Sequence, residues 1–342
     1  MSDKILVTGG TGFIGSHTTV ELINSGYEVV IIDNLSNSSK DVLKRIERIT
    51  GTMPHFEEFD LCDLDRLSQF FKQHQDTKAI IHFAASKAVG ESVQKPLLYY
   101  RNNLDSLMNL LDLMQQQEVS NLVFSSSCTV YGQPEKLPVT EQSPILPAES
   151  PYGNTKQISE EIIRDTLHSN EKLNAISLRY FNPVGAHESA EIGELPLGVP
   201  ANLVPYITQT AAGMRESLSV FGEDYNTPDG TAIRDYIHVV DLAKAHVVAV
   251  GRMLDKKQKE SYEVFNLGTG NGFSVLEAIK AFEASTGQKL NYKIVGRRAG
   301  DIEQVWADTT IANNELGWKA ELDLKTMMGS AWKWQQRLLE ES

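Results

Sequence analysis

The glycine-rich stretch near the start of the chain restricts the possible folds more than any other feature. Residues 7–17 read Val-Thr-Gly-Gly-Thr-Gly-Phe-Ile-Gly-Ser-His. A short apolar run at residues 4–7 leads into these glycines. The run is typical of a strand, and the residues from Ile14 onward are typical of a helix. The turn between them needs glycine, because the chain turns tightly and the helix packs closely on the strand.

The spacing of these glycines is typical of a dinucleotide-binding turn. Gly10, Gly12 and Gly15 match the pattern Gly-x-Gly-x-x-Gly. Gly9 takes the place of Gly10 in the variant whose turn is one residue longer. Either spacing lets a pyrophosphate reach free N–H groups at the helix N-terminus. An ordinary strand-turn-helix unit can show the same spacing, so a second feature is needed.

A carboxylate at the end of the second predicted strand is that feature. The strand covers residues 27–33 and ends in Asp33, 18 residues after Gly15. This is close to the separation at which an acid binds the adenosine ribose hydroxyls. No arginine follows directly, so a 2′-phosphate would meet a carboxylate without a nearby cation. We therefore predict NAD rather than NADP, although an acid at a strand end can also be a turn residue.

Composition and charge exclude several classes of protein. The 342 residues carry a formal charge of −13, which argues against nucleic acid or an anionic membrane as a partner. No apolar run is long enough for a membrane helix, and no signal peptide is indicated, so we expect a cytoplasmic protein. The two cysteines, Cys62 and Cys128, support neither a disulfide framework nor a metal site.

The order of predicted elements indicates the fold class. Helices and strands alternate after the second strand, at residues 40–50, 55–60, 63–75, 78–85, 96–117 and 121–127. Such alternation implies parallel strands with right-handed crossovers. A helix at 151–169 and a strand at 174–182 follow. We predict an α/β fold, in which a Rossmann-type doubly wound parallel sheet is joined by a smaller C-terminal α/β substrate-binding lobe.

The composition of the chain changes after residue 182, where glycine and proline become frequent and the predicted helices and strands become shorter. We predict an NAD-binding domain over residues 1–182 and a smaller substrate domain over 183–342. An element near 238–268 is expected to return to the first domain.

Tyr152 and Lys156 are the candidate catalytic pair. Residues four apart share one face of the predicted helix. A neighbouring ammonium and an oxidised nicotinamide both favour a phenolate, which makes the tyrosine a usable general base. The lysine can also hold the nicotinamide ribose. A lone Tyr-x-x-x-Lys is common, but this one follows the glycine turn and a strand that ends in three serines, the last of them Ser127.

Motifs along the whole chain resemble a known family. They read Thr-Gly-Gly-Thr-Gly-Phe-Ile-Gly-Ser-His at 8–17, Lys-Ala-Val-Gly-Glu-Ser at 87–92, Ser-Ser-Ser-Cys-Thr-Val-Tyr-Gly at 125–132, Ser-Pro-Tyr-Gly at 150–153, Arg-Tyr-Phe-Asn-Pro-Val-Gly-Ala-His at 179–187 and Arg-Asp-Tyr-Ile-His-Val at 234–239. The chain resembles the extended short-chain dehydrogenase/reductases and, within them, the UDP-glucose 4-epimerases.

The resemblance implies NAD-dependent epimerisation at C4 of UDP-hexoses. Tyr152 would remove the proton of the sugar 4-hydroxyl while hydride passes to the nicotinamide, and Ser127 would hydrogen-bond the same hydroxyl. The 4-keto sugar would then turn and take the hydride back on its opposite face. NAD would be regenerated in each turnover and stay tightly bound.

The resemblance also implies the binding residues. The cofactor would contact Gly9, Gly12, Phe13, Ile14, Gly15, Asp33, Asn34, Asn37, Ser38, Asp60, Leu61, Phe83, Ala84, Ala85, Lys87, Asn102, Tyr152, Lys156 and Phe181. The UDP-sugar would contact Lys87, Ser127, Tyr152, Tyr180, Asn182, Asn202, Leu203, Phe221, Arg234, Arg298, Asp301 and Val305. The two guanidinium groups suit a pyrophosphate. Phe221 would either stack on uracil or fill core.

Val305 falls where some epimerases carry a tyrosine that narrows the sugar pocket. A valine leaves room, so we expect UDP-N-acetylglucosamine and its galacto epimer to be substrates as well. The resemblance also implies a homodimer built on the helices at 96–117 and 151–169, although these helices could equally pack on the sheet.

Two other functions stay open. A nucleotide-sugar 4,6-dehydratase or decarboxylase would share the first oxidation, but Cys128 and Thr129 stand where such enzymes supply a carboxylate. A non-enzymatic dinucleotide-sensing protein could also use this fold. The joint presence of Tyr152, Lys156 and Ser127 argues against the second.

Overall fold

A seven-stranded parallel sheet forms the centre of the computed structural model, which describes residues 2–298 and 302–341. From edge to edge its strands are β11 (Tyr262–Leu267), β6 (Asn174–Tyr180), β5 (Asn121–Ser127), β4 (Thr77–His82), β1 (Lys4–Thr8), β2 (Glu28–Asp33) and β3 (His55–Glu58). Neighbouring strands all pair in parallel. The strand order reverses between β1 and β4, as a doubly wound sheet requires. The predicted fold class is confirmed.

Helices cover both faces of this sheet. One face carries α1 (Phe13–Asn24), α2 (Asp41–Thr50) and α9 (Val239–Leu254), and the other carries α3 (Leu64–Gln73), α6 (Ser106–Gln116) and α7 (Pro151–Ser169). Successive residues of a strand point to opposite faces. Ile5 and Val7 therefore enter one core cluster and Leu6 enters the other. A strand buried on both faces explains the unbroken apolar run in the sequence.

The predicted regular helix at 96–117 is wrong in its middle. The helical run consists of α5 (Pro96–Tyr100), a π-helical turn (Arg101–Asp105) and α6, and a short α4 (Val89–Gln94) precedes it. Asn103 lies in the π-helical turn and is buried. Its amide nitrogen donates to the Ser86 carbonyl and to Thr155 Oγ1, both at 3.0 Å. These tertiary bonds accompany the local widening of the helix.

The second region is built from small sheets. Its strands are β7 (Asn182–Val184), β8 (Leu218–Phe221), β9 (Ile233–Arg234), β10 (Tyr236–His238), β12 (Phe273–Ser274), β13 (Tyr292–Val295) and β14 (Gln304–Val305). They pair as β7 with β10, β8 with β13, and β9 with β12 and β14. The helices are α8 (Leu203–Ala211), α10 (Val275–Thr286) and α11 (Leu324–Glu340), which share one core cluster.

Other details of the sequence prediction also differ from the structure. The strand expected at 174–182 ends at Tyr180, and Asn182 already begins β7 in another sheet. The helix α11 was not predicted.

The later elements α9 and β11 lie in the layers of the large sheet, whereas the division at residue 182 stays a prediction. Over the described ranges, no helix has the length and apolarity needed to cross a membrane.

Candidate active site

The turn between β1 and α1 has the shape that a dinucleotide needs. Gly9 has a φ of +71°, and a Cβ there would lie 2.8 Å from the backbone nitrogen of Ala84. A Cβ on Gly15 would lie 2.2 Å from the Gly9 carbonyl oxygen. Gly12 caps α1 without a side-chain hydrogen bond. The first N–H groups of the helix have no partner within it, so the turn fits a pyrophosphate.

Asp33 joins this turn to the loop that follows β2. Its Oδ2 accepts from the backbone N–H of Thr11 at 3.2 Å, and its Oδ1 accepts from Leu35 N at 2.9 Å and from Ser38 Oγ at 3.3 Å. Nearby, Asn34 Nδ2 donates to Asp60 Oδ2 at 2.9 Å. A fixed carboxylate beside the glycine turn suits the two hydroxyls of an adenosine ribose.

The other residues predicted to bind the cofactor lie in different surroundings. Phe83, Ala84 and Ala85 directly follow β4, and Phe13 and Ile14 begin α1. Leu61 is buried, Asn37 is exposed, and Asn102 donates to Ser86 Oγ at 3.3 Å. Phe181 is buried in a core cluster that also holds Val305.

Ser127, Tyr152 and Lys156 come together because β5 ends where α7 begins. Ser127 is the last residue of β5, and Ser150 caps α7 by accepting from Gly153 N at 3.1 Å. Tyr152 and Lys156 lie in the first two turns of that helix, and all three candidates are buried. Lys156 Nζ donates to the carbonyl oxygen of Ser125 at 2.7 Å.

Burial dominates the titration of these groups. It raises the pKa of Tyr152 above its ordinary value, the nearby Tyr180 raises it further, and a hydrogen bond from Ser127 lowers it. Burial lowers the pKa of Lys156 to about 8, although Glu160 opposes this shift. Burial therefore outweighs the lowering of the Tyr152 pKa that was expected from the neighbouring Lys156. Additional positive charge beside Tyr152 is needed for the phenolate.

A buried polar network that the sequence did not reveal lies behind this pair. Glu160 accepts from Ser126 Oγ at 2.6 Å and from Arg179 Nε at 2.9 Å. Arg179 Nη1 donates to the Tyr131 hydroxyl at 2.9 Å, which donates to Asn266 Oδ1 at 2.7 Å. The network ties β5, α7, β6 and β11 together, so it holds the strand end and the helix that carry the catalytic candidates.

The candidates for the nucleotide lie on the small sheets. Arg234 in β9 is paired in register with Val305 in β14. The neighbouring Asp235 is buried and accepts from backbone N–H groups of both adjoining segments, Thr269 at 2.8 Å and Ala307 at 3.2 Å. This carboxylate therefore fixes the strand pair that carries the candidate arginine.

Phe221, at the end of β8, is 39% exposed, so the alternative that it fills core is wrong. The Arg298 guanidinium lies 5.8 Å from the centre of its ring. Asp301 lies outside the described residues. An exposed aromatic face beside an arginine suits a base joined to phosphates.

Two further substrate candidates meet at a carboxylate that was not predicted. Glu194 Oε1 lies 2.6 Å from Asn202 Nδ2 and 3.7 Å from Lys87 Nζ. Asn182 begins β7 and Leu203 begins α8. The Tyr180 hydroxyl accepts from Ser125 Oγ at 3.0 Å, and burial raises its pKa to about 12. No sequence pattern marks Glu194, because Lys87 is distant along the chain and Asn202 lies eight residues further on, outside any regular helical or strand spacing.

Known proteins with similar sequences identify the family. A family model described as GDP-mannose 4,6 dehydratase matches residues 6–330. The UDP-glucose 4-epimerase of Bacillus subtilis (strain 168) is 52% identical over 331 residues, which are 97% of this chain and 96% of that protein. The mouse UDP-glucose 4-epimerase is 50% identical over 341 residues, 98% of this chain and 97% of that protein. This chain belongs to the UDP-glucose 4-epimerase family.

A solved structure agrees with this assignment to the epimerase family. The UDP-glucose 4-epimerase from Stenotrophomonas maltophila was crystallised with bound NAD and formylated UDP-arabinopyranose. It superposes with a TM-score of 0.96 at 48% identity, covering 99% of this chain and 100% of that chain. The resemblance seen in the sequence motifs is confirmed.

Proposed function

We propose that this protein epimerises UDP-hexoses at C4, interconverting UDP-glucose and UDP-galactose with tightly bound NAD. The observation that carries the proposal is the burial of Ser127, Tyr152 and Lys156 together where β5 ends and α7 begins. Relatives of about half identity carry the epimerase name, and the superposed structure holds NAD and a UDP-sugar. The glycine turn and Asp33 fit the cofactor.

Tyr152 is the proposed general base for the sugar 4-hydroxyl, and Ser127 hydrogen-bonds the same hydroxyl. When bound, NAD would act as a hydride acceptor and would give the hydride back to the sugar in the same turnover. Because burial raises the tyrosine pKa, the phenolate depends on positive charge in the site, which Lys156 and an oxidised nicotinamide provide. Arg234, Arg298 and the exposed face of Phe221 are proposed to hold the UDP moiety.

A dehydratase is the second candidate, since the matching family model carries that name. Elimination of a hydroxyl needs a group that can give it a proton. The residues beside Ser127 are Cys128 and Thr129, and burial raises the pKa of the Cys128 thiol to about 12. A thiol with this pKa is a poor acid at neutral pH. The residues beside Ser127 therefore favour epimerisation over elimination.

Val305 supports a wider range of sugars. Its side chain is buried beside Phe181 in the strand paired with Arg234. The resemblance implies that a tyrosine at this position takes space that an N-acetyl group needs. We expect the wild-type protein to turn over UDP-N-acetylgalactosamine, and the Val305→Tyr variant to lose this activity while it keeps UDP-galactose. Equal rejection of the N-acetyl sugar by both proteins would contradict the proposal.

A homodimer is supported by apolar side chains on α4 and α5. Val93 and Leu97 are 61% and 68% exposed, and Leu98 lies beside them. Exposed apolar patches of this kind favour an interface between copies. Sedimentation of the Leu97→Glu variant should give a smaller species than the wild type. The cytoplasmic location expected from the sequence stays a prediction.

The reaction itself is tested by incubating purified protein with UDP-galactose, without added NAD, and separating the products by chromatography. UDP-glucose is the expected product, because the cofactor stays bound through each turnover. A 4-keto-6-deoxy or decarboxylated product from a suitable sugar nucleotide would place the protein among the lyases. No turnover, even with NAD supplied, would contradict the proposal.

A further inference from the structure

A single carboxylate joins two residues of the proposed substrate site. Glu194 Oε1 accepts from Asn202 Nδ2 at 2.6 Å and lies 3.7 Å from Lys87 Nζ. Lys87 belongs to the segment after β4, and Asn202 directly precedes α8. Glu194 therefore links a residue of the NAD-binding region to one of the region that carries the nucleotide candidates.

The backbone holds Glu194 in place. Its carbonyl oxygen accepts from Trp334 Nε1 at 3.0 Å. The preceding residue, Gly193, forms an antiparallel bridge with Ala186, and a Cβ there would lie 2.4 Å from the Trp334 ring. The side chain of Glu194 is 13% exposed, whereas that of Lys87 is 47% exposed. The Glu194 carboxylate is thus largely buried, whereas the Lys87 ammonium group reaches solvent.

This contact fixes which way the Asn202 amide faces. An ionised carboxylate can only accept hydrogen bonds, so the amide nitrogen must face Glu194. The carbonyl oxygen, Oδ1, then faces away from it and remains available as an acceptor. An acceptor suits a hydroxyl or N–H donor of a sugar nucleotide and repels phosphate oxygen. A glutamine at position 194 could donate or accept, so it would no longer dictate the orientation of the amide.

We infer that Glu194 is a positioning residue for the UDP-sugar. It orients Asn202 so that its carbonyl oxygen meets a donor of the ligand, and it holds Lys87 at the same site. The charge of Lys87 also offsets the repulsion between this carboxylate and a diphosphate. The inference rests on the proposed function, and it concerns the binding of substrate rather than the chemical step.

The Glu194→Gln variant tests the inference by steady-state kinetics. We expect the KM for UDP-galactose to rise about tenfold, because a charge-assisted hydrogen bond is lost. The kcat should stay within about twofold, as for interactions made equally in the ground and transition states. The matched control is Glu191→Gln, whose carboxylate pairs with Arg48 and Arg337. That variant should lower the Tm and leave the KM unchanged.

A double-mutant cycle separates positioning from a general effect on folding. Asn202→Ala should raise the KM in the wild type but add less than about twofold in the Glu194→Gln background, because coupled residues are not additive. An unchanged or lower KM for Glu194→Gln, or fully additive effects, would overturn the inference. If the wild type turns over no UDP-sugar, the proposed function fails instead. In that case, calorimetric titration of the same variants with UDP-glucose tests the positioning role of Glu194 by itself. We expect binding to be about tenfold weaker for Glu194→Gln.

Discussion

The two regions of the molecule contribute different parts of the site on different kinds of structure. In residues 1–182, long parallel strands bring the glycine turn, Ser127 and the start of α7 to one edge of a single sheet. In residues 183–342, Arg234 and Val305 lie on strands of two residues each. The proposed chemistry therefore stands on rigid elements, and the proposed specificity on short connections.

The comparison predicts different kinetic effects for substitutions in the two regions. Changes in the first region should lower kcat or abolish cofactor binding. Changes at the proposed substrate-binding residues of the second region should raise KM and leave kcat nearly unchanged, because these residues are proposed to contact parts of the substrate that do not react.

The largest effect is expected from Tyr152→Phe in the first region. The variant loses the proposed base, so kcat should fall by about 10²- to 10⁴-fold while NAD remains bound. Stopped assays with UDP-galactose and the NAD content of the purified variant measure both quantities. Tyr262→Phe removes the hydroxyl of a partly buried tyrosine, which lies 2.8 Å from Ser177 Oγ, and should leave kcat unchanged. A Tyr152→Phe variant with full activity would break the assignment.

The next effect is expected from Gly15→Ala. The new Cβ would lie 2.2 Å from the Gly9 carbonyl oxygen, so the turn must open and the proposed phosphate site should be lost. We expect protein purified without bound NAD. Gly251→Ala is the matched change in a helix, because the nearest atom to its Cβ is the Tyr27 hydroxyl at 3.8 Å. That control should keep its cofactor, and equal NAD content in both variants would contradict the role of the turn.

The smallest effect is expected from Arg234→Lys in the second region. Lysine keeps the charge but loses the forked pair of donors, so the KM for UDP-galactose should rise about tenfold with kcat nearly unchanged. Arg215→Lys serves as the control, because its guanidinium stacks on Tyr206 and donates to Gln209. A fall in kcat without a change in KM would show that the second region also takes part in the chemical step.

Much of the first region could be predicted, because its signals are local. The bounds of β5 and the start of α7 follow from an apolar run and from a Ser-Pro cap. The π-helical turn at Arg101–Asp105 could not, because it accompanies bonds from Asn103 to residues distant in sequence. The role of Glu160 could not be predicted for the same reason, because Ser126 and Arg179 contact it only in the folded protein.

The second region was predicted less well, for two reasons. Strands of two or three residues, such as β9 and β10, are too short to show an alternating pattern. The helix α11 did carry a signal, since Leu324, Met327, Met328 and Ala331 are spaced for one helical face and are buried. The spacing therefore suffices to predict α11, whereas no comparable pattern marks Glu194.

The fate of the hydrogen at C4 of the sugar distinguishes direct return of the hydride from exchange with water. UDP-galactose that carries deuterium at C4 of the sugar is converted in ordinary water, and the UDP-glucose formed is analysed by mass spectrometry and NMR. We expect the deuterium to remain at C4, because the same hydride is removed and returned within one active site. Replacement of the deuterium by hydrogen from water would contradict it.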